Sequence, residues 1–126
     1  MKNIKFMALF LLLCGCSLSN YSKNNSMLNR NQIFSLLDEE PSISELIKLQ
    51  SKNKISAELI VQYYIQRIHK HDSEVNALIA VNPFALNDAK KLDQARLEGK
   101  NLGLLHGIPI LVKDNIETKE MPTTAG

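Results

Sequence analysis

Lys113 directly follows Ile108–Val112, a continuous apolar run suited to a buried central strand. A lysine at the end of a buried strand must either reach water or stay inside with partners. Inside, burial favours the neutral amine and draws its pKa down from the reference value of about 10.4. A neutral lysine can then serve as the base that activates a serine nucleophile. At the surface the same side chain lays its stem along the strand end and keeps a solvated charge. Spacing alone leaves both placements open.

Other residues with chemical potential are weaker. His69 and His71 are two apart in a helical pattern, so they point to different faces and do not make a metal pair. Cys14 and Cys16 have no partner ligands at a usable spacing, which argues against a metal site. Asp38-Glu39-Glu40, followed by Pro41, reads as a solvated turn and not as a catalytic carboxylate pair.

The cysteines fit a different role. Lys2 and Lys5 precede the apolar run Phe6–Leu13, with no acid among them. Eight apolar residues are too few for a membrane-spanning helix, which needs about 20. A positive start and a short apolar stretch make a secretory signal. Leu13-Cys14-Gly15-Cys16 resembles a bacterial lipobox, with Gly15 as the small residue before the modified cysteine. Cys16 is therefore the expected lipidation site, with residues 1–15 removed as signal peptide. Ser17 after Cys16 resembles lipoproteins sent to the outer membrane, where the cell has one. The expected localisation is extracytoplasmic, with the membrane held through the lipid.

The 126 residues carry 15 Lys+Arg and 13 Asp+Glu, a net charge of +2 that falls to zero once Lys2 and Lys5 are cleaved away. The hydrophobic fraction of 44% fits a folded domain and not a disordered chain. No basic stripe supports nucleic-acid binding. With Cys16 the sole cysteine left after cleavage, no internal disulfide can form.

The elements that must position Lys113 are legible in outline. Residues 16–41, rich in Asn and Ser up to position 31, read as the lipidated cysteine and a flexible tether, with Gln32–Leu37 a short apolar patch able to open a helix. Ser42 and Glu45 form a capping box, and Ile43, Leu46, Ile47 and Leu49 follow at helical spacing. Ser56 opens a longer helix with an apolar stripe at Leu59, Ile60, Tyr63, Tyr64, Ile65 and Ile68. Val75–Val81 suits a buried strand. Asn82-Pro83 starts a third helix, with Asn82 as cap and Pro83 in its first position. The order helix, helix, strand, helix, strand predicts a layered α/β protein.

The run LLHGIPILVKDNIETKEMPTTAG, together with SAELIVQYYIQRIHKHDSEVNALIAVNP before it, closely resembles the opening block of the amidase signature family. The resemblance covers 42–126, and the combination of LHGIP, VKDN and TTAG is far more specific than any one tripeptide. It implies an α/β fold in which a mixed sheet is covered by helices, with 42–126 as the N-terminal portion of that domain. It also implies hydrolysis of carbon–nitrogen amide bonds by a Ser–cis-Ser–Lys triad, with no metal or organic cofactor.

In that reading Lys113 is the triad lysine. It would take a proton through a bridging serine so that the nucleophilic serine attacks the amide carbonyl, and would later return a proton to the leaving amine. Asp114, Thr123, Thr124 and Gly126 match a supporting loop near the active site, and Gly107 and Pro109 shape the approach. Leu104 stands where many members have Pro, which affects loop stiffness only. No serine follows Ser73, and none matches a family serine. The expectation is an N-terminal piece of an exported, lipid-anchored amidase, inactive in these 126 residues alone. Its substrate would be a small amide or a peptide amide. Members that supply ammonia for tRNA-linked amino acids work in the cytoplasm, which a lipobox argues against. The competing expectation is a short lipoprotein with a non-catalytic binding or scaffolding role.

Overall fold

The computed structural model describes residues 26–100 and 102–125. Four helices follow in order: α1 (Arg30–Asp38), α2 (Ile43–Ser51), α3 (Ala57–Val75) and α4 (Ala85–Leu97). The signal peptide, Cys16 and Gly126 lie outside the described residues.

Each of the first three helices starts where a short polar side chain can take its free backbone N–H groups. Asn29 and Gln32 cap α1 reciprocally, each side-chain oxygen accepting the other's N–H at 3.0 Å. Ser42 and Glu45 form the capping box expected from their spacing: Ser42 N–H donates to Glu45 Oε2 at 2.8 Å, and Glu45 N–H donates to Ser42 Oγ at 3.3 Å. The hydrogen bonds from the Ser42 backbone and hydroxyl hold the Glu45 carboxyl below its ordinary value of 4.5. Ser56 accepts from Leu59 N–H at 3.1 Å to open α3. The third expected cap sits differently. Asn82 Oδ1 accepts from Phe84 N–H at 2.8 Å, so it holds a turn at Pro83-Phe84, and α4 begins at Ala85 without a side-chain cap.

The core forms where α1, α2 and α3 meet. Ile33, Leu37, Ile55 and Ile60 are essentially fully buried, joined by Leu46 and Tyr63. A smaller cluster of Ala57, Val61 and Ala89 joins α3 to α4, where small residues let the helices approach closely. The stripe read on α3 is the one that packs. Tyr63 also anchors the corner after α1: its hydroxyl donates to Asp38 Oδ1 at 2.6 Å and accepts from Arg67 Nη1 at 3.2 Å. Burial, and then the bond to Asp38, push the Tyr63 phenol above its ordinary value.

Two expectations are corrected here. The described part of the segment read as a tether, 26–41, is not loose. Ile33 and Leu37 of α1 lie at the centre of the core, Leu28 N–H donates to the Lys54 carbonyl at 2.9 Å, and Lys54 Nζ donates to the Ser26 carbonyl at 3.0 Å. The helix falls on the patch Gln32–Leu37 that the sequence reads as able to open one: Ile33 and Leu37 are four apart, enough for one buried helical stripe.

The larger correction concerns the sheet. The α/β expectation of a mixed sheet covered by helices is not met, because the described residues form helices joined by turns and hold no strand. At Val75–Val81 the reason is local. Val75 ends α3, and Asn76 adopts a left-handed conformation at φ 52°. The Asp72 carboxylate then takes the Ala77 and Leu78 N–H groups at 2.9 and 3.2 Å, donors that a sheet ladder would need. At Ile108–Val112 no other segment among the described residues pairs with the chain. A strand is a shared structure, and apolar composition without a neighbour does not make one.

Candidate active site

The segment carrying Lys113 is fastened to the helices at its start. Gly107 is buried with φ +72°, a left-handed conformation that L side chains adopt only with strain. A Cβ at this position would stand 2.7 Å from Ala57 Cβ and 2.9 Å from Gln50 Oε1. Glycine is therefore required here twice over, by conformation and by space. Next to it, the His106 ring Nε2 lies 2.8 Å from the Leu92 carbonyl oxygen on α4. A carbonyl only accepts, so Nε2 carries the proton.

Beneath Gly107 lies a polar junction of three helices. The Asp93 carboxylate caps the N-terminus of α3, Oδ1 accepting from Ala57 N–H at 2.9 Å and Oδ2 from Glu58 N–H at 3.0 Å. An anion at this helix end is favoured by both the free N–H groups and the dipole. Arg96 pairs with Asp93 and donates from Nη1 to Gln50 Oε1 at 2.9 Å, with its side chain only 12% exposed. Gln50 is buried, and its Nε2 has no hydrogen-bond partner among the described residues. That orphan costs about 1–3 kcal/mol, and turning the amide over would break the bond from Arg96.

Beyond Gly107 the chain runs out over α4. Ile108, Pro109, Ile110 and Val112 line a groove of about 370 Å³ together with Val61, Ala85 and Ala89. Leu111 is 82% exposed, and Lys113 is exposed outside the groove. Leu111 and Lys113 are the exposed residues of this stretch that do not line the groove. Of the two placements open for Lys113, the described residues show the exposed one.

After Lys113 the chain turns, Ile116 N–H donating to the Lys113 carbonyl at 2.9 Å. The structure then joins two of the expected supporting residues. Asp114, half-buried, accepts from Thr124 N–H at 3.1 and 3.2 Å and from the Thr124 hydroxyl at 2.5 Å. The carboxylate closes a ten-residue loop that returns the chain beside Lys113. Thr118 Oγ1 supports its far end by donating to the Met121 carbonyl at 3.3 Å. Thr123 is exposed beside the clamp. Among the described residues no group of three or more His, Cys, Asp or Glu is placed to hold a metal, and no helix is long and apolar enough to cross a membrane.

Sequence reasoning named Lys113, Asp114 and Thr124 but missed the residues that hold their segment: Gln50, Asp93, Arg96 and His106. Asp93 and Arg96 are three apart on one helix, a visible signal for a pair. Nothing in the spacing joins them to positions 50, 57 and 107.

Residues 59–126, which include Lys113, Asp114, Thr123 and Thr124, match the family model described as Amidase. This chain belongs to the amidase family. Its relatives include a glutamyl-tRNA(Gln) amidotransferase subunit from Bacillus pumilus, 45% identical over 92 residues, which is 72% of this chain and 19% of the relative. The corresponding protein from Clostridium botulinum strain Alaska E43 is 40% identical over 81 residues, 64% of this chain and 17% of the relative. A putative amidase of Arthroderma benhamiae is 46% identical over 69 residues, 54% of this chain and 12% of the relative. The chain thus spans less than one fifth of the length of these relatives. No solved structure matches it. The amidase match begins inside α3 and runs through the groove and the Asp114–Thr124 loop, so it covers the whole segment that carries Lys113.

Proposed function

We propose that this chain forms the N-terminal portion of an exported, lipid-anchored amidase in which Lys113 starts amide hydrolysis. The observation that carries the reading is the family match over 59–126, with Lys113 exposed at the end of the apolar run Ile108–Val112. A lysine presented on an open face can be met by serine hydroxyls brought from elsewhere. Once enclosed there, its ammonium loses water, the neutral amine becomes accessible, and Nζ can take a proton from a bridging serine. The nucleophilic serine then attacks the amide carbonyl, the amine leaves with a proton, and water releases the acid. Asp114 and Thr124 hold the return loop beside Lys113 and touch no reacting atom.

The export part rests on the residues themselves: Lys2 and Lys5, the run Phe6–Leu13, and Cys16 after Gly15. Attachment of acyl chains at Cys16 would anchor the protein outside the cytoplasm, and the substrate would be a small amide or peptide amide reaching that compartment. A second reading follows from two of the relatives, named for an amidotransferase acting with glutamyl-tRNA(Gln). Under it the same lysine would release ammonia inside the cell.

One experiment separates these readings. The native protein is recovered from membrane and soluble fractions with an antibody to residues 42–100. Its hydrolysis of small amides is then compared with that of a Lys113→Ala strain. Membrane-bound activity lost on substitution supports the proposal. Activity confined to the soluble fraction supports the second reading. Activity that survives Lys113→Ala overturns the lysine assignment in both.

A further inference from the structure

We infer that His106 is a positioning residue, clamping the Lys113-bearing segment onto α4 through its Nε2–H bond to the Leu92 carbonyl. Three observations carry this. The contact is well formed, at 2.8 Å, and joins residues 14 apart in sequence. It sits immediately before Gly107, whose buried left-handed backbone rests against Gln50 and Ala57. Beyond Ile108, which packs against the core of α1 to α3, the chain has little else to hold it until the loop after Lys113: Ile110 and Leu111 are 68% and 82% exposed.

The consequence is geometric. Gly107 has no side chain with which to fix its own orientation. With the Gly107 backbone seated against Gln50 and Ala57 and Ile108 packed on the core, the ring bond to α4 adds the directional attachment that packing alone does not give. Six residues on, a small rotation at Gly107 becomes a displacement of Lys113 comparable to the tolerance of a proton transfer. Leu92 lies in the interior of α4, so its carbonyl is held rigidly by the helix and can serve as the fixed end. Only a side chain that offers a donor at the position of Nε2 can make this attachment. Glutamine reaches that position with its own NH₂, while leucine fills similar space and donates nothing.

The clamp itself is independent of the chemistry; its effect on catalysis rests on the amidase reading above. The test therefore has one arm that needs no activity. Hydrogen–deuterium exchange is measured on the full chain for wild type, His106→Leu and His106→Gln. Loss of one hydrogen bond predicts exchange about five-fold faster at the His106 and Ile108 amides in His106→Leu, with α1–α3 unchanged, and near wild-type exchange in His106→Gln. Equal exchange in wild type and His106→Leu, or failure of His106→Gln to restore protection, overturns the proposal. If His106→Leu does not fold, side-chain ¹⁵N spectra of wild type at alkaline pH decide instead. The Nε2–H tautomer supports the clamp, and the Nδ1–H tautomer overturns it. In the second arm, amide hydrolysis by the native protein loses kcat with KM little changed in His106→Leu and recovers in His106→Gln. Faster exchange in His106→Leu alongside wild-type hydrolysis that does not depend on Lys113 would leave the clamp standing and remove the lysine assignment on which its catalytic effect rests.

Discussion

Asp114 and Thr124, ten residues apart, are joined by three contacts through one carboxylate: both oxygens face the Thr124 N–H, at 3.1 and 3.2 Å, and one takes its hydroxyl at 2.5 Å. The sequence places Asp114 beside Lys113, and the contact brings Thr124 there too. A loop closed by a charged acceptor stays closed without apolar packing, which suits a segment whose neighbours are mostly exposed.

Replacing Asp114 with Ala removes the acceptor for two donors at once. The Thr124 amide is expected to exchange about ten-fold faster, while the amides of α1 to α3 keep their protection. Thr124→Val keeps the backbone contact and has a smaller effect. Residue-resolved hydrogen exchange reads both, and an unchanged Thr124 amide in Asp114→Ala would show that the loop is held by other contacts.

Gly107→Ala asks the chain for a Cβ where Ala57 Cβ stands 2.7 Å away and where φ is +72°. Crowding against buried groups and left-handed strain act together, and the expected loss is about 2–4 kcal/mol of unfolding free energy. Denaturant titration with an unchanged slope measures it. The neighbouring Gly103 has open space around its Cβ position, so Gly103→Ala is the matched control, with little change.

The role of α1 is tested at Ile33 and Leu37, which are 0% and 1% exposed. Ile33→Ala or Leu37→Ala should each cost about 2–5 kcal/mol, as core truncations do. A tether would tolerate either change, so wild-type melting of these variants would contradict the packing described here.

Stability should fall in acid partly through Glu45. Its carboxyl is held below 4.5 by hydrogen bonds from Ser42, so the folded state binds its proton less readily than the unfolded chain. The contribution is present above the unfolded value and is lost as pH falls through the lower folded value. Glu45→Gln keeps a capping oxygen but cannot titrate. Its melting temperature should therefore vary less between neutral and acid pH than that of wild type, and parallel profiles would remove Glu45 from the account.

Local chemistry was legible along the chain wherever a residue and its partner are close in sequence. Ser42 with Glu45, Ser56 with Leu59 and the α3 stripe follow from spacing of three and four, because a helix makes neighbours of such residues whatever lies around it. The motif around Lys113 was equally plain, since it is a contiguous string. The strands were not, because a strand's hydrogen bonds belong to another segment, and Asp72 had already taken the donors at Ala77 and Leu78. The junction of Gln50, Ala57, Asp93, Arg96 and Gly107 was not legible either. Those residues meet only after α2, α3 and α4 have packed, and no period in the sequence carries that meeting. The sequence by itself thus determined the capped starts of α2 and α3 and the family. The tertiary structure decided that α1 belongs to the core, that glycine is obligatory at 107, and that Lys113 is exposed, because burial and close approach depend on segments that meet only after packing.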